Sequence, residues 1–412
     1  MNKFREQFRR YAELLVRRGM NVQPGQEVVV AGEMFHAPLM RMVMEEGYRA
    51  GAKSVSLELI DPLADRIHIE NAPAEGLAFI PKHIAELRNE LVESQGAVVR
   101  FDGMENPDLY ASVDPSRINA VQTARRKARD EFYEGGINRR QVQWCVACAA
   151  TPGWGLKLFP GEDPSAAEAL LWEELFKLLR VDTPDYLDRW SKHDEALHRR
   201  AETLNEMQVQ ELHFTGGGTD LRVRLSPNAY FGGGSKKSAR GVPFIANLPT
   251  EEVFTTPDCR ATEGTAVITR PVIVNQTLVR DLVLTFKNGT ITDFRASSGE
   301  SAFRSLIDTD EGARRLGEVA LVGIDSPIYQ SGLVFQEILL DENACCHIAV
   351  GSAYKNKLRG SEQMSAEDLE LLGCNNSVVH VDFMISSEQT FVSARRADGS
   401  VTEIISNGKW NV

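Results

Sequence analysis

The sequence predicts two domains: an α/β domain with a mostly parallel sheet over residues 1–195, then an α+β domain over 196–412. Three observations predict this. At 412 residues the chain is long for a single hydrophobic core. Its first half alternates helix-period and strand-like segments, the pattern of a parallel sheet with helical crossovers. From about residue 209 the texture changes to short strands and glycine turns, with helices returning late. The boundary falls in the charged helical stretch 190–208.

The elements follow in order. "FREQFRRYAELLVRRG" is an amphipathic helix. "QEVVVAG" after the turn "QPG" is a strand, "APLMRMVMEEGYRAGA" a helix and "KSVSLELID" a strand. "PKHIAELRNELVES" and "GAVVRFDG" repeat the pair, and "PSRINAVQTARRKARDEFYEGG" leads into the strand "QVQWCVACAATP". "SAAEALLWEELFKLLRV" and "PDYLDRWSKHDEALHRRAETLNEM" are two more helices. In the second half, "ELHFTGGGTDLRVRLS" and "FKNGTI" read as hairpins, the latter through Asn-Gly. Helices return at "SAFRSLIDTDEGARRLGE" and "SAEDLELLG". The runs "TGGGTD" and "FGGGSK" lack P-loop spacing and read as turns. No GxGxxG follows a strand in the first half, so a dinucleotide site has no support there.

Composition excludes several classes. Asp and Glu outnumber Lys and Arg, 58 to 46, for a net charge of −12, which disfavours nucleic acid or an anionic membrane as partner. No apolar run reaches transmembrane length. The N-terminal stretch lacks the apolar run of a signal peptide, and Glu6 and Glu13 argue against a transit peptide. Six cysteines in so large a chain are not a disulfide framework, and they point to the cytoplasm. Cys145 and Cys148 form a CxxC with apolar flanks and no second pair, and read as buried small hydrophobes.

Chemistry concentrates in the second half. In "VVHVDFMIS", His380 and Asp382 lie two apart on a strand and share a face. "LDENACCHIAVGSAY" sets Asp341 and Glu342 before His347 and Tyr354 after it; if that stretch is helical, the spacing of His347 and Tyr354 puts both on one face. "ARRLGEVALVG" puts Glu318 at the mouth of a strand, and "NLPTEEVFTTPD" pairs Glu251 with Glu252. Ionised groups in apolar runs are costly unless paired, hydrogen-bonded or metal-bound. Taken singly, each has a bland reading as a satisfied core pair, a cap, a salt bridge or a buried tyrosine. Taken together, carboxylate and imidazole donors suit Zn, Co, Mn or Fe. No HExxH is present.

Read together, "NLPTEEVFTTPD", "GARRLGEVALV", "DENACCHIAVGSAY" and "NSVVHVDFMI" resemble the aminopeptidase T / aminopeptidase S family of metallopeptidases, the thermophilic metalloprotease family. Weaker matches, such as "YAELLVRRGMNVQPGQEVVV" and the closing "NGKW", extend the resemblance over nearly the whole chain. It implies metal ligands at Glu252, Glu318, His347, His380 and Asp382, with Tyr354 at the metal centre as ligand or oxyanion donor. Glu251 is the candidate proton carrier. It further implies two divalent ions, Zn or Co first and Mn or Mg as alternatives, that activate a water. The expected reaction removes the N-terminal residue from short peptides with a free α-amine, and a homodimer is the expected assembly. Cys345 and Cys346 replace small residues and read as packing, while Ser386 and Ser387 follow "DFMI" where the family often has glycine, which bears on the pocket.

A related group of the same fold resembles mononuclear non-haem iron dioxygenases acting on dihydroxypyridines. His347, His380 and Asp382 would supply its triad. The presence of both Glu252 and Glu318 favours the peptidase. A non-catalytic scaffold would carry a degraded ligand set, and this one is intact.

Overall fold

The computed structural model describes residues 4–275 and 277–412, which form two compact units. The first takes in Met1–Trp190 and Ser235–Pro249, the second Ser191–Gly234 and Thr250–Val412.

The first unit is built on a five-stranded, wholly parallel sheet. Its order is Asn247–Leu248, Gln143–Cys148, Ala97–Asp102, Glu27–Glu33, Ser54–Ile60. Four of these strands are the ones the alternating pattern predicts; the fifth is two residues long and comes later in the chain, after the hairpin Val209–Leu225. The interior strand Glu27–Glu33 is buried at five successive positions, Val28 to Gly32, as expected of a strand covered on both faces. Helices escaped the periodicity at Pro62–Asn71, Ala74–Leu77 and Pro152–Leu158. Pro62–Asn71 starts on Asp61, whose carboxylate accepts from the Leu63 and Ala64 amides, with Pro62 at the first helical position. Cys145 and Cys148 are buried thiols within this core, and burial raises the Cys145 pKa, so the pair is inert.

Among the described residues the second unit holds two large antiparallel sheets and a two-stranded one, Val272–Val274 with Thr277–Val279. The larger has eight strands, ordered Thr290–Arg295, Val283–Lys287, Pro257–Val267, Thr219–Leu225, Val209–Gly216, Phe391–Arg396, Val401–Ser406, Lys409–Trp410. Both expected hairpins are present: Gly217 and Gly218 turn the first, with φ of 60° and 90°, and Asn288-Gly289 turns the second. The smaller sheet runs His380–Met384, His347–Gly351, Leu316–Leu321, Val253–Thr255, Gly232–Gly233. The glycine run of "FGGGSK" is therefore an edge strand as well as a turn. A Cβ on Gly233 would lie 2.6 Å from the Glu252 carbonyl oxygen, so only glycine lets the strand approach there.

The conditional helix from His347 to Tyr354 is corrected by the structure. His347–Gly351 is a strand, fully buried, between two antiparallel neighbours. Its β-branched Ile348 and Val350 pack into the unit's core, which outweighs any helical spacing. Among the described residues, no helix is long and apolar enough to cross a membrane.

Candidate metal centre

The small sheet sorts its side chains by face. Residues directly opposite on antiparallel strands share a face, as do residues two apart on one strand. Glu318 faces Ala349, which faces Asp382. His347 and Gly351 flank Ala349 at two residues' distance, and His380 sits opposite Gly351. All four chemical groups thus hang on one face, with Ala349 and Gly351 leaving room between them. The opposite face carries Val253, Val319, Leu321, Ile348, Val350 and Phe383, all in the main core.

Glu318 reaches the correct face through a β-bulge. Leu316 pairs with Val350 but Glu318 with Ala349, so Gly317 is the extra residue. Without it Glu318 would oppose Ile348 and point into the core.

The Glu251–Glu252 pair alternates as an extended stretch must. Glu252 turns to His347, with 3.3 Å from Oε2 to Nε2. Glu251 turns to His193, with 3.4 Å from Oε2 to Nε2. Glu318 Oε2 lies 3.2 Å from His380 Nε2. Two donor groups result, one of Glu252, Glu318 and His347, the other of Glu318, His380 and Asp382; within each, the donor atoms lie within 4.8 Å of one another. Glu318 belongs to both and Glu251 to neither. Tyr354, 41% exposed, leans over the cluster, its ring edge-on to His380 at 5.1 Å and to Phe254 at 5.3 Å.

The residues fit a bound cation. Asp382 Oδ1 is buried and accepts no hydrogen bond, while the two imidazole Nε2 atoms stand 3.7 and 4.0 Å away. Each imidazole is backed by a main-chain carbonyl: His380 Nδ1 is 2.7 Å from Ser352 O and His347 Nδ1 is 3.4 Å from Cys345 O. That backing commits the Nδ1 proton to the carbonyl and turns Nε2 toward the carboxylates, the arrangement of a ligating histidine.

The electrostatics are severe without a cation. Burial pushes Glu318 up to about 7, and the charges of Glu252 and Asp382 add to it against the His380 hydrogen bond. Burial works against charge on His347, yet the Glu252 hydrogen bond and the nearby carboxylates raise it to about 9. His380 goes to about 10 by the same balance, with Glu318 and Asp382 as partners. Burial and these carboxylates also push the Tyr354 hydroxyl well up.

The sequence reading did not include Glu342 in the site. Its carboxyl lies well above the usual range through burial and the charges of Asp382, Glu252 and Glu318. The available signal was its place five residues before His347, inside a quoted match. Cys345 and Cys346 are fully buried, and the Cys346 thiol bonds to the Val322 carbonyl at 3.3 Å.

Comparison with known proteins decides the family. The model of the thermophilic metalloprotease (M29) family matches residues 4–410. The chain belongs to the M29 metalloprotease family. Two curated M29-type relatives are full-length matches: Aminopeptidase AmpS of Bacillus subtilis (strain 168), 39% identical over all of both chains, and Aminopeptidase T of Thermus thermophilus, 37% identical over all of both chains. The solved structure of wild-type AmpT from Thermus thermophilus superposes with a TM-score of 0.91 at 36% identity, covering 99% of this chain and all of that one. The M29 assignment makes a divalent metal an expected constituent of the protein.

Proposed function

We propose that the second unit is the catalytic domain of a metal-dependent aminopeptidase, and that its acidic–imidazole cluster holds two divalent ions. The reaction class follows from M29 membership together with full-length relatives named as aminopeptidases. The observation that carries the two-ion reading is that Glu318 belongs to both donor groups, as a bridging carboxylate must. Charge supports it: Glu252, Glu318 and Asp382, with Glu342 beside them, present up to four negative charges, which two divalent ions match. The donor types favour zinc or cobalt, with manganese or magnesium as alternatives.

When bound, the ions polarise the scissile carbonyl and acidify a water. The chain's own residues do the rest. Glu252, Glu318, His347, His380 and Asp382 fix positions, and the main-chain carbonyls behind both imidazoles hold the rings in orientation. Tyr354 donates its hydroxyl to the oxygen on which charge develops. The surplus of carboxylates attracts a free α-ammonium, which selects the first peptide bond. A carboxyl must also pass a proton to the leaving amine. Glu342, whose electrostatic neighbours are the ligand carboxylates, suits that role better than the sequence choice, Glu251, whose carboxylate faces His193. The dioxygenase alternative leaves Glu252 and Glu318 idle and gains no support from any relative.

The substrates are short peptides. We further propose a homodimer, on the grounds that Met34, Phe35, Leu59, Leu63, Ile67 and Phe79 are each half exposed or more. A cytoplasmic location fits six cysteines that form no disulfide.

The test is amino-acid release from a panel of short peptides by metal-stripped protein resupplied with zinc or cobalt, with N-acetylated copies in parallel. Release from free-amine peptides alone, and only with metal, is the expected outcome. Metal-independent release, or cleavage of the acetylated copies, overturns the reading.

A further inference from the structure

The Thr250–Glu252 segment is held from behind by groups that no step of the reaction uses. His193, on the helix Tyr186–Glu206, donates through Nε2 to the Thr250 carbonyl at 2.8 Å. The same nitrogen is 3.4 Å from Glu251 Oε2. The Glu251 amide donates to Asn343 Oδ1 at 2.7 Å. Asn343 is fully buried and donates on to the Leu339 carbonyl at 2.9 Å and to Glu342 Oε1 at 3.3 Å, and its own carbonyl accepts from Ser326 at 2.7 Å. On the other side, the Gly232–Gly233 strand pairs with Phe254 and Val253. The Thr250 carbonyl and the Glu251 amide ahead of Glu252 and the strand that follows it are therefore tied down, and the stretch that carries Glu252 is linked through Asn343 to the stretch that carries Glu342 and His347.

We propose that His193 and Glu251 are positioning residues for Glu252. Their pairing fixes the peptide unit that precedes the ligand, so that the Glu252 carboxylate stands at its donor position before any ion arrives. The inference rests on the reading of Glu252 as a metal ligand. It gives a use to the buried, acidic Glu251, whose side chain faces away from both donor groups. An outer partner of this kind is worth roughly 10–100-fold in metal affinity.

The experiment titrates metal-stripped, full-length protein with Zn²⁺ and with Co²⁺ under chelator competition, and records the visible spectrum of the cobalt form. His193→Ala is expected to weaken both ions about tenfold or more and to alter the cobalt spectrum. KM at saturating metal and the melting temperature of the stripped protein are expected to stay near wild type. His193→Gln keeps an N–H for the Thr250 carbonyl, and is expected to restore affinity to within about threefold. Metal affinity of His193→Ala within twofold of wild type overturns the proposal, and so does a His193→Gln protein no better than His193→Ala. If His193→Ala does not fold, the His193→Gln comparison and Glu251→Ala, expected to weaken the metal to a similar extent, decide in its place. Glu252→Gln is measured alongside: unchanged metal binding there overturns the ligand reading itself, whereas its loss beside an unaffected His193→Ala overturns only the positioning role.

Discussion

Glu318 is the residue on which most depends, because it alone serves both donor groups. Glu318→Gln keeps the shape of the side chain and removes its charge. It is expected to fold and to lose more than nine-tenths of wild-type turnover; retention of more than a tenth would remove Glu318 from the ligand set. Tyr354 belongs to a different category, since its exposed ring closes over the site without joining either group. Tyr354→Phe should lower kcat by about 10²–10³ with KM little changed, the pattern of a group that acts only on developing charge. A fall in affinity without a fall in kcat would make it a binding residue instead. At this scale the sequence was informative, because carboxylates and imidazoles in apolar runs need a reason to be there. It was silent on His193 and Asn343, whose partners are main-chain groups brought near only by folding.

At the scale of elements, legibility followed periodicity. The four longer strands and the amphipathic helices of the first unit could be read because each repeats its pattern over several residues. The helix Pro62–Asn71 was missed because it shows only one buried residue, Ile69, so its evidence lay in Asp61 and Pro62 at its start. The bulge at Gly317 was illegible for the opposite reason: it breaks the period of two, and nothing local announces it. The short turn Met34–His36 carries a testable consequence of burial. His36 donates from Nε2 to the Gly103 carbonyl at 2.9 Å and accepts at Nδ1 from the Glu33 amide at 3.1 Å. Burial lowers its pKa to about 4, against a weaker opposing effect of the Gly103 bond. The unfolded chain takes up this proton near pH 6.5 and the folded chain only near 4, so stability is full above 6.5 and is lost as pH falls through that window. Urea unfolding between pH 7 and 4 should show His36→Gln losing less stability than wild type, by up to about 3 kcal/mol. Parallel curves for the two proteins would show that His36 is not the acid-sensitive group.

For the whole molecule, the open question is what covers the apolar side chains of the first unit. Ile67 and Phe79 are 63% and 68% exposed, and the homodimer proposal has a second copy of the chain bury them. Light scattering is expected to give twice the chain mass for wild type and the single-chain mass for an Ile67→Glu, Phe79→Glu double variant. A wild-type protein of single-chain mass would end the homodimer proposal. The division of the chain into two units also shows how far a linear reading reaches. The change of texture near residue 209 was visible, but the return of Ser235–Pro249 to the first unit was not, since it rests on a two-residue strand pairing and on contacts such as Phe244 with Trp144 and the Ile245 amide with Arg18 and Gly19, which only folding brings near.

The ligands proposed here come from three strands and from Glu252 just ahead of a fourth, and extend along the chain from Glu252 to Asp382, and Glu318 is brought onto their face only by the pairing of its strand with His347–Gly351. No fragment that stops short of Asp382 carries the full set. During synthesis the proposed metal centre therefore stays incomplete until the strand His380–Met384 has been made. Hydrolytic competence would appear only when that strand, the last of the small sheet in chain order, joins His347–Gly351.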